Sequence, residues 1–191
     1  MKLKKLEQQI KRRKEVCITE AGDGLWLGTE RAMYAAYNIE PMSFDQLMTM
    51  FDVPEDKRES YSEIESGLLY YAEVVDTDPK ETPLQKGSVQ IVWYGKPLLP
   101  LLVENQEIYY IDPRYLDPVA DAENITLCRR IGTDGRTYIA IKSGMLLIGL
   151  IEPENIVDEM LLQHLKTLYD LSASAFKNAP SAEDPQERLY G

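Results

Sequence analysis

The sequence predicts an α+β fold: a mostly antiparallel β meander body, a short helical segment near 43–59, a long C-terminal helix 154–176 and a basic N-terminal helix. Three observations carry this. The second half consists of short apolar runs separated by tight turns rich in Gly, Asn and Asp, the pattern of hairpins. The connections are too short for the crossover helices that a parallel, doubly wound sheet needs. Stretches near both ends and near residue 45 instead space apolar residues three, four and seven apart, as helices do.

The first helix covers 2–14, where Leu3, Leu6 and Ile10 form a narrow apolar stripe on a cationic surface. A helix this short is marginal alone, so it needs a surface to lie on. Val16 to Glu20 and Leu25 to Leu27 read as strands around the turn Ala21-Gly22-Asp23-Gly24, and the β pattern continues from Ala32 to Ile39. Ser43 and Gln46 have capping-box spacing, which predicts a helix with Phe44, Leu47, Met48 and Phe51 on one side. Pro54 ends that helix or opens a second charged turn through Arg58. Residues 52–66 are strongly polar, Leu68 to Val75 reads as a strand, and 76–87 is the best linker or long-loop candidate.

Ser88 to Tyr94 is a strand followed by the turn Gly95-Lys96. Leu98 to Val103 is the next, and Pro97 with Pro100 makes it an edge or bulged strand. Glu107 to Ile111 pairs back. The strongest hairpin signal joins Asn124–Ile131 to Arg136–Ile141 through Gly132-Thr133-Asp134-Gly135, and Met145 to Ile151 follows. Ile39-Glu40-Pro41, Ile111-Asp112-Pro113 and Ile151-Glu152-Pro153 each act as a strand stop, because Pro cannot donate to a ladder. The helix over 154–176 has an unusually wide apolar arc that includes Met160, His164 and Leu168, so it packs on two sides or is shared with a partner subunit. The expected organisation is a basic arm (1–15), one α+β domain (16–177) and a polar tail (178–191), with a split near 76–87 as the alternative.

Charge is unevenly placed. The 191 residues carry a net charge of −11. Residues 1–14 hold seven cations and one acid, a net of +6; everything after holds 14 cations and 31 acids, a net of −17. The arm cations Lys4, Lys5, Lys11, Arg12, Arg13 and Lys14 could fold onto the acidic body, contact another subunit or meet phosphates. The arm has no aromatic for stacking and the body would repel a polyanion, so nucleic acid is the weakest of the three.

Familiar chemistry is scarce. One histidine and two cysteines exclude a four-cysteine, two-cysteine-two-histidine or three-histidine metal site from this chain alone. His164 lies on an apolar arc without a local carboxylate, which suits a packed or interface residue better than a base. Gly22-Asp23-Gly24 lacks the third glycine of a dinucleotide fingerprint, and no nucleophile elbow occurs. Asp76-Thr77-Asp78 is followed by Pro79 and completes no calcium loop. Cys17 and Cys128 sit in strand settings, as structural thiols or as one pair. Twelve tyrosines, eight on strand candidates, edge the core or form a binding face.

No run is apolar enough to span a membrane, and the basic N-terminus is followed by no signal-like apolar stretch, so a cytoplasmic location is expected. The leading expectation is a non-enzymatic interaction or structural protein that self-associates. It has no cofactor, catalytic residue or metal, and its partner is itself or another protein rather than a membrane. Two alternatives are a small-molecule enzyme built from dispersed carboxylates and tyrosines, and a nucleic-acid-associated or acidic mimic protein. The best partner-binding candidates are the six arm cations with Met160, His164 and Leu168.

Overall fold

A computed structural model describes residues 1–104, 107–156, 163 and 166–171. The chain divides into a first unit, Met1–Glu154, and a second, Asn155–Gly191. The first unit is mixed α+β, with mostly antiparallel sheets and few helices.

Helix α1 spans Leu3–Arg13 and ends at Lys14, which takes the left-handed conformation (φ 60°) and donates its N–H to the Ile10 carbonyl. Lys11, Arg12 and Arg13 fill the last turn, where cations complement the helix dipole. Of the three destinations open to the arm, its own body is the one the helix occupies. Leu6 and Ile10 are fully buried, so the stripe that needed a surface has found one on its own body. Buried Gln9 closes the contact: its amide donates to the Arg114 carbonyl at 2.7 Å and accepts from the Tyr34 hydroxyl at 3.2 Å.

Strands β1 (Glu15–Ala21), β2 (Gly24–Thr29) and β3 (Ala32–Ala35) form the expected antiparallel meander. Helix α2 (Phe44–Met50) starts at Ser43 with both capping-box bonds: Ser43 Oγ accepts from Gln46 N–H, and Gln46 Oε1 accepts from Ser43 N–H. Leu47, Met48 and Phe51 are buried as their spacing predicts. Pro54 caps the four-residue helix α3 (Glu55–Arg58). β4 (Ser62–Ile64) then lies parallel to β1, inside the stretch read only as polar.

The strand expected at Leu68–Val75 is instead a 3-10 turn over Gly67–Tyr70 followed by irregular chain. Gly67 enters it at φ +49°, a backbone state that turns the chain out of the extended direction. The linker candidate 76–87 is also corrected, because it is stitched into two sheets. β5 (Thr82–Pro83) pairs with β10 (Ile125–Ile131), and β6 (Gln85–Lys86) pairs with β8 (Lys96–Leu102).

β7 (Ile91–Trp93) pairs with β8 across the Tyr94-Gly95 turn, and β9 (Ile108–Ile111) pairs with β8 as well. Leu101 of β8 has Lys86 on one flank and Tyr109 on the other, so β8 is internal, not the edge its prolines suggested. Pro100 lacks a donor but its carbonyl accepts from Gly87 N–H at 2.9 Å. Only glycine fits there, since a Cβ on residue 87 would stand 2.7 Å from the proline ring.

A 3-10 helix over Pro113–Val119 follows, capped by Asp112, whose carboxylate accepts from Arg114 N–H. Ile111 and Ile151 end strands before their acid–Pro pairs as expected; Ile39 does not, because β3 already stops at Ala35. β10, β11 (Thr137–Ser143) and β12 (Leu146–Ile151) complete the meander, and β12 returns to β3. The large sheet therefore runs β4-β1-β2-β3-β12-β11-β10-β5.

Both faces of this sheet are apolar. Leu25, Leu27, Tyr34, Ile139, Ile141 and Ile151 face one core, which α1, α2 and the smaller sheet cover. Trp26, Met33, Cys128, Tyr138, Ala140 and Leu150 face the other, beneath the 68–74 chain. Strand alternation sorts neighbours between the two cores. The second face is fastened by ions: Arg130, with a fully buried side chain, donates to Glu81 at 2.9 Å, and Lys142 donates to Glu81 at 2.7 Å. Arg130 also donates to the carbonyls of Val75 and Asp76, so one triad ties the 75–81 chain to β10 and β11. Burial alone would raise the Glu81 pKa; the bonds from Lys142 and Arg130 outweigh it and hold it below the ordinary carboxylate value.

The helix expected over 154–176 is corrected at its start. Residues 152–156 are not helical, because the Glu154 N–H is bonded to the Tyr110 carbonyl and its carboxylate pairs with Arg31 and Lys96. Residues 166–171 are helical, with Leu168 exposed, while Met160, His164 and the tail 178–191 lie outside the described residues.

Two outcomes follow. Ile10→Ala should cost about 2–5 kcal/mol in urea denaturation, whereas Lys4→Ala should cost under about 0.5; a near-zero loss at Ile10 would mean α1 is not part of the core. Because the folded Glu81 pKa is depressed, its contribution is complete above the unfolded value of about 4.3 and is lost as pH falls from there through the lower folded value. Glu81→Gln should therefore lose on the order of 3 kcal/mol at pH 7 and show a flatter stability profile between pH 5 and 3 than the parent.

Candidate functional site

The arm cations lie against their own body. Lys5 is 4.0 Å from Asp117, Arg12 3.7 Å from Asp112, Arg13 2.8 Å from Glu15, and Lys11 2.6 Å from Glu7. Lys14 donates to Ser60 Oγ at 3.0 Å and stands 4.6 Å from the Tyr61 ring centre. Lys4 is exposed. Asp112 is the anchor of this group, almost wholly buried. Burial would push its pKa up, but the Arg114 side chain and N–H and the Arg12 charge hold it below the ordinary value. The structure thus brings the cations to acids of the first unit, and Leu168 belongs to the second.

Three other places concentrate features that could bind something. The first is the β7–β8 hairpin. Val89, Ile91, Val92 and Tyr94 are exposed within six residues, with Val92 at 74% and Tyr94 at 88%. Trp93 packs edge-on against Tyr94 at 5.1 Å between ring centres. β7 pairs only with β8 among the described residues. An apolar tip beside an unpaired strand edge is a template for association.

The second is a cavity of about 320 Å³ that gathers Glu30, Glu65, Glu152, Tyr70, Tyr71 and Arg136. Three carboxylates and two tyrosines are the residue types the enzyme reading called for, but their environment is one of mutual neutralisation. Glu152 pairs with Arg31 at 3.7 Å, and Arg136 pairs with Asp134 at 2.6 Å while its guanidinium lies 3.9 Å over the Tyr71 ring. Burial, aided by the Glu152 charge, pushes the Tyr71 hydroxyl up to about 12, so it stays protonated at neutral pH. That hydroxyl is buried without a hydrogen-bond partner among the described residues. Gly132 explains its tight seat: a Cβ there would lie 2.4 Å from the Tyr71 ring. Among the described residues, no group of His, Cys, Asp and Glu could hold a metal ion.

The third is a cavity of about 590 Å³ between the two sheets. Its wall is apolar, from Leu84, Leu99, Leu116, Ile125 and Leu127, and its polar lining is Lys86, Gln90, Asp117 and Thr126. It arises where the chain crosses from one sheet to the other. Leu84 N–H still bonds the Leu127 carbonyl at 2.9 Å, and two residues later Lys86 pairs with Leu101. Beyond that crossing β10 and β8 part, and the Pro113–Val119 turn floors the gap.

Both cysteines are free and buried, with burial raising each thiol. The tyrosines divide by position. Tyr34 is fully buried, its one hydroxyl hydrogen shared between the Tyr115 carbonyl at 2.7 Å and Gln9 Oε1 at 3.2 Å, whereas Tyr70 and Tyr94 are exposed. No family model, curated protein or solved structure matches the chain. Sequence reasoning missed the two cavities because each is assembled from residues tens of positions apart. Only the hairpin left a local signal, the apolar run Ile91-Val92-Trp93-Tyr94 before a glycine turn.

Since the Tyr71 hydroxyl has no partner to lose, Tyr71→Phe should leave stability unchanged or raise it by up to about 1 kcal/mol. A melt showing clear destabilisation would mean that the hydroxyl makes a bond.

Proposed function

We propose that this is a non-enzymatic, cytoplasmic interaction protein that self-associates through the β7–β8 hairpin. The observation that carries the reading is the unpaired β7 edge flanked by exposed Val89, Val92 and Tyr94. A second copy arriving antiparallel would supply the missing backbone partners and cover those side chains about a two-fold axis. Exposed Leu168, Tyr169 and Leu171 on the 166–171 helix give the second unit an apolar surface of its own. The free, buried thiols suit a reducing compartment. Among the described residues no helix is long and apolar enough to cross a membrane.

The reading also accounts for the charge. Arm cations occupied by Asp112, Asp117 and Glu15 are drawn away from phosphates, which supports protein over nucleic acid as the partner class. Light scattering over a hundredfold range of concentration tests the proposal. The parent should sediment and scatter as a dimer at the upper end. Val92→Lys should be monomeric with an unchanged melting temperature, because Val92 contributes nothing to either core. A parent that stays monomeric throughout, or a Val92→Lys variant that dimerises as well as the parent, overturns it.

A further inference from the structure

The cavity between the sheets has a property the hairpin reading does not use. We infer that it is a binding site for a small amphipathic anion, a carboxylate with an aliphatic tail. Its volume of about 590 Å³ falls in the range of small-molecule sites. Leu84, Leu99, Leu116, Ile125 and Leu127 offer a tail an apolar wall continuous with the main core, to which Leu99 and Leu127 belong. The wall cannot close on itself. The Leu84 crossing fixes the spacing of β10 and β8 on one side, and Pro113 with the 3-10 turn fixes the floor.

The sign of the head group follows from the charges on the lining. Only two are ionised, Asp117 and Lys86. Asp117 has a counterion in Lys5 at 4.0 Å. The Lys86 side chain makes no hydrogen bond or ion pair with any described residue, and it stands exposed on β6 in the cavity lining. An unneutralised ammonium next to an apolar cleft favours an anion, and the two terms act together because the tail holds the head in place. Gln90 and Thr126, both exposed, add neutral hydrogen-bonding groups to the same lining. In a chain with a net charge of −11, a lone cation at a cavity mouth is also the local exception that would draw a small anion inward.

Isothermal titration of the full chain at pH 7.5 with octanoate, octanol and octylamine tests this. The three probes share a tail and differ in charge. Octanoate should bind tightest and octylamine weakest. Lys86→Met should weaken octanoate about tenfold while leaving octanol within about twofold, since only the charged contact is removed. Ile125→Trp, which fills the cavity from a partly exposed position, should abolish binding of both octanoate and octanol. Absence of octanoate binding overturns the inference. So does equal binding of all three probes, an octanoate affinity unmoved by Lys86→Met, or octanoate binding that survives Ile125→Trp. Each measurement reads binding to a monomer or a dimer alike, so its outcome is separate from that of the hairpin test.

Discussion

A sheet of eight strands with apolar side chains on both faces must be covered twice, and the rest of the first unit is arranged around that demand. Leu27 and Tyr34 project to one side while their neighbours Trp26 and Met33 project to the other. Period-two alternation leaves no polar face to offer to water. Helix α1, helix α2 and the smaller sheet close one side. The other is closed by chain with hardly any regular structure, the 68–81 segment, which has few backbone bonds of its own to hold it. That difference explains where the charged residues are used. The regular cover is held by Leu6, Ile10 and Leu47; the irregular cover is held by Tyr71, Leu68 and the Arg130–Glu81–Lys142 triad.

The net charge of −11 divides along similar lines. The cationic helix α1 is matched to acids of the 112–117 region and to Glu15, so its sequence excess is spent locally within one folded unit. Buried Asp112 organises this match, because it carries Arg114 and Arg12 on one carboxylate and caps the 3-10 turn against which α1 packs. Surface pairs of this kind contribute little individually. Their effect here is positional, setting α1 over the sheet in one register while Gln9 and Tyr34 supply the buried hydrogen bonds.

Several elements were legible from local chemistry. Ser43 with Gln46 marked the start of α2 because a capping box is a property of four adjacent residues. Gly132 to Gly135 marked the β10–β11 hairpin for the same reason. Failures occurred where the deciding contact is distant. Leu68 to Ala72 has an apolar run that suits a strand or a packed turn equally, and the choice was made by Gly67 and by the sheet face beneath. Ser62 to Ile64 is polar because β4 is an edge strand, which needs no apolar face. Pro97 and Pro100 suggested an edge, but β8 is internal, since a proline removes one donor and leaves the carbonyl free to accept. The arm showed its charge and its apolar stripe in sequence. Its destination could not be read, because the Asp112 and Asp117 that receive it lie a hundred residues on. Neither cavity was legible, for that same reason.

The seating of α1 also sets an order of events in folding. The helix precedes every other element described, yet Gln9 bonds a carbonyl 105 residues further along, and Arg31 finds Glu154 across 123 residues. β3, at the middle of the large sheet, has no second neighbour until β12 has been made. The β1–β3 meander must therefore wait with an open central edge while most of the chain is synthesised. Long-range pairings of this kind slow folding and prolong exposure of apolar strands. Until then Lys11 and Arg13 have their partners in Glu7 and Glu15, whereas Lys5 and Arg12 wait for Asp117 and Asp112.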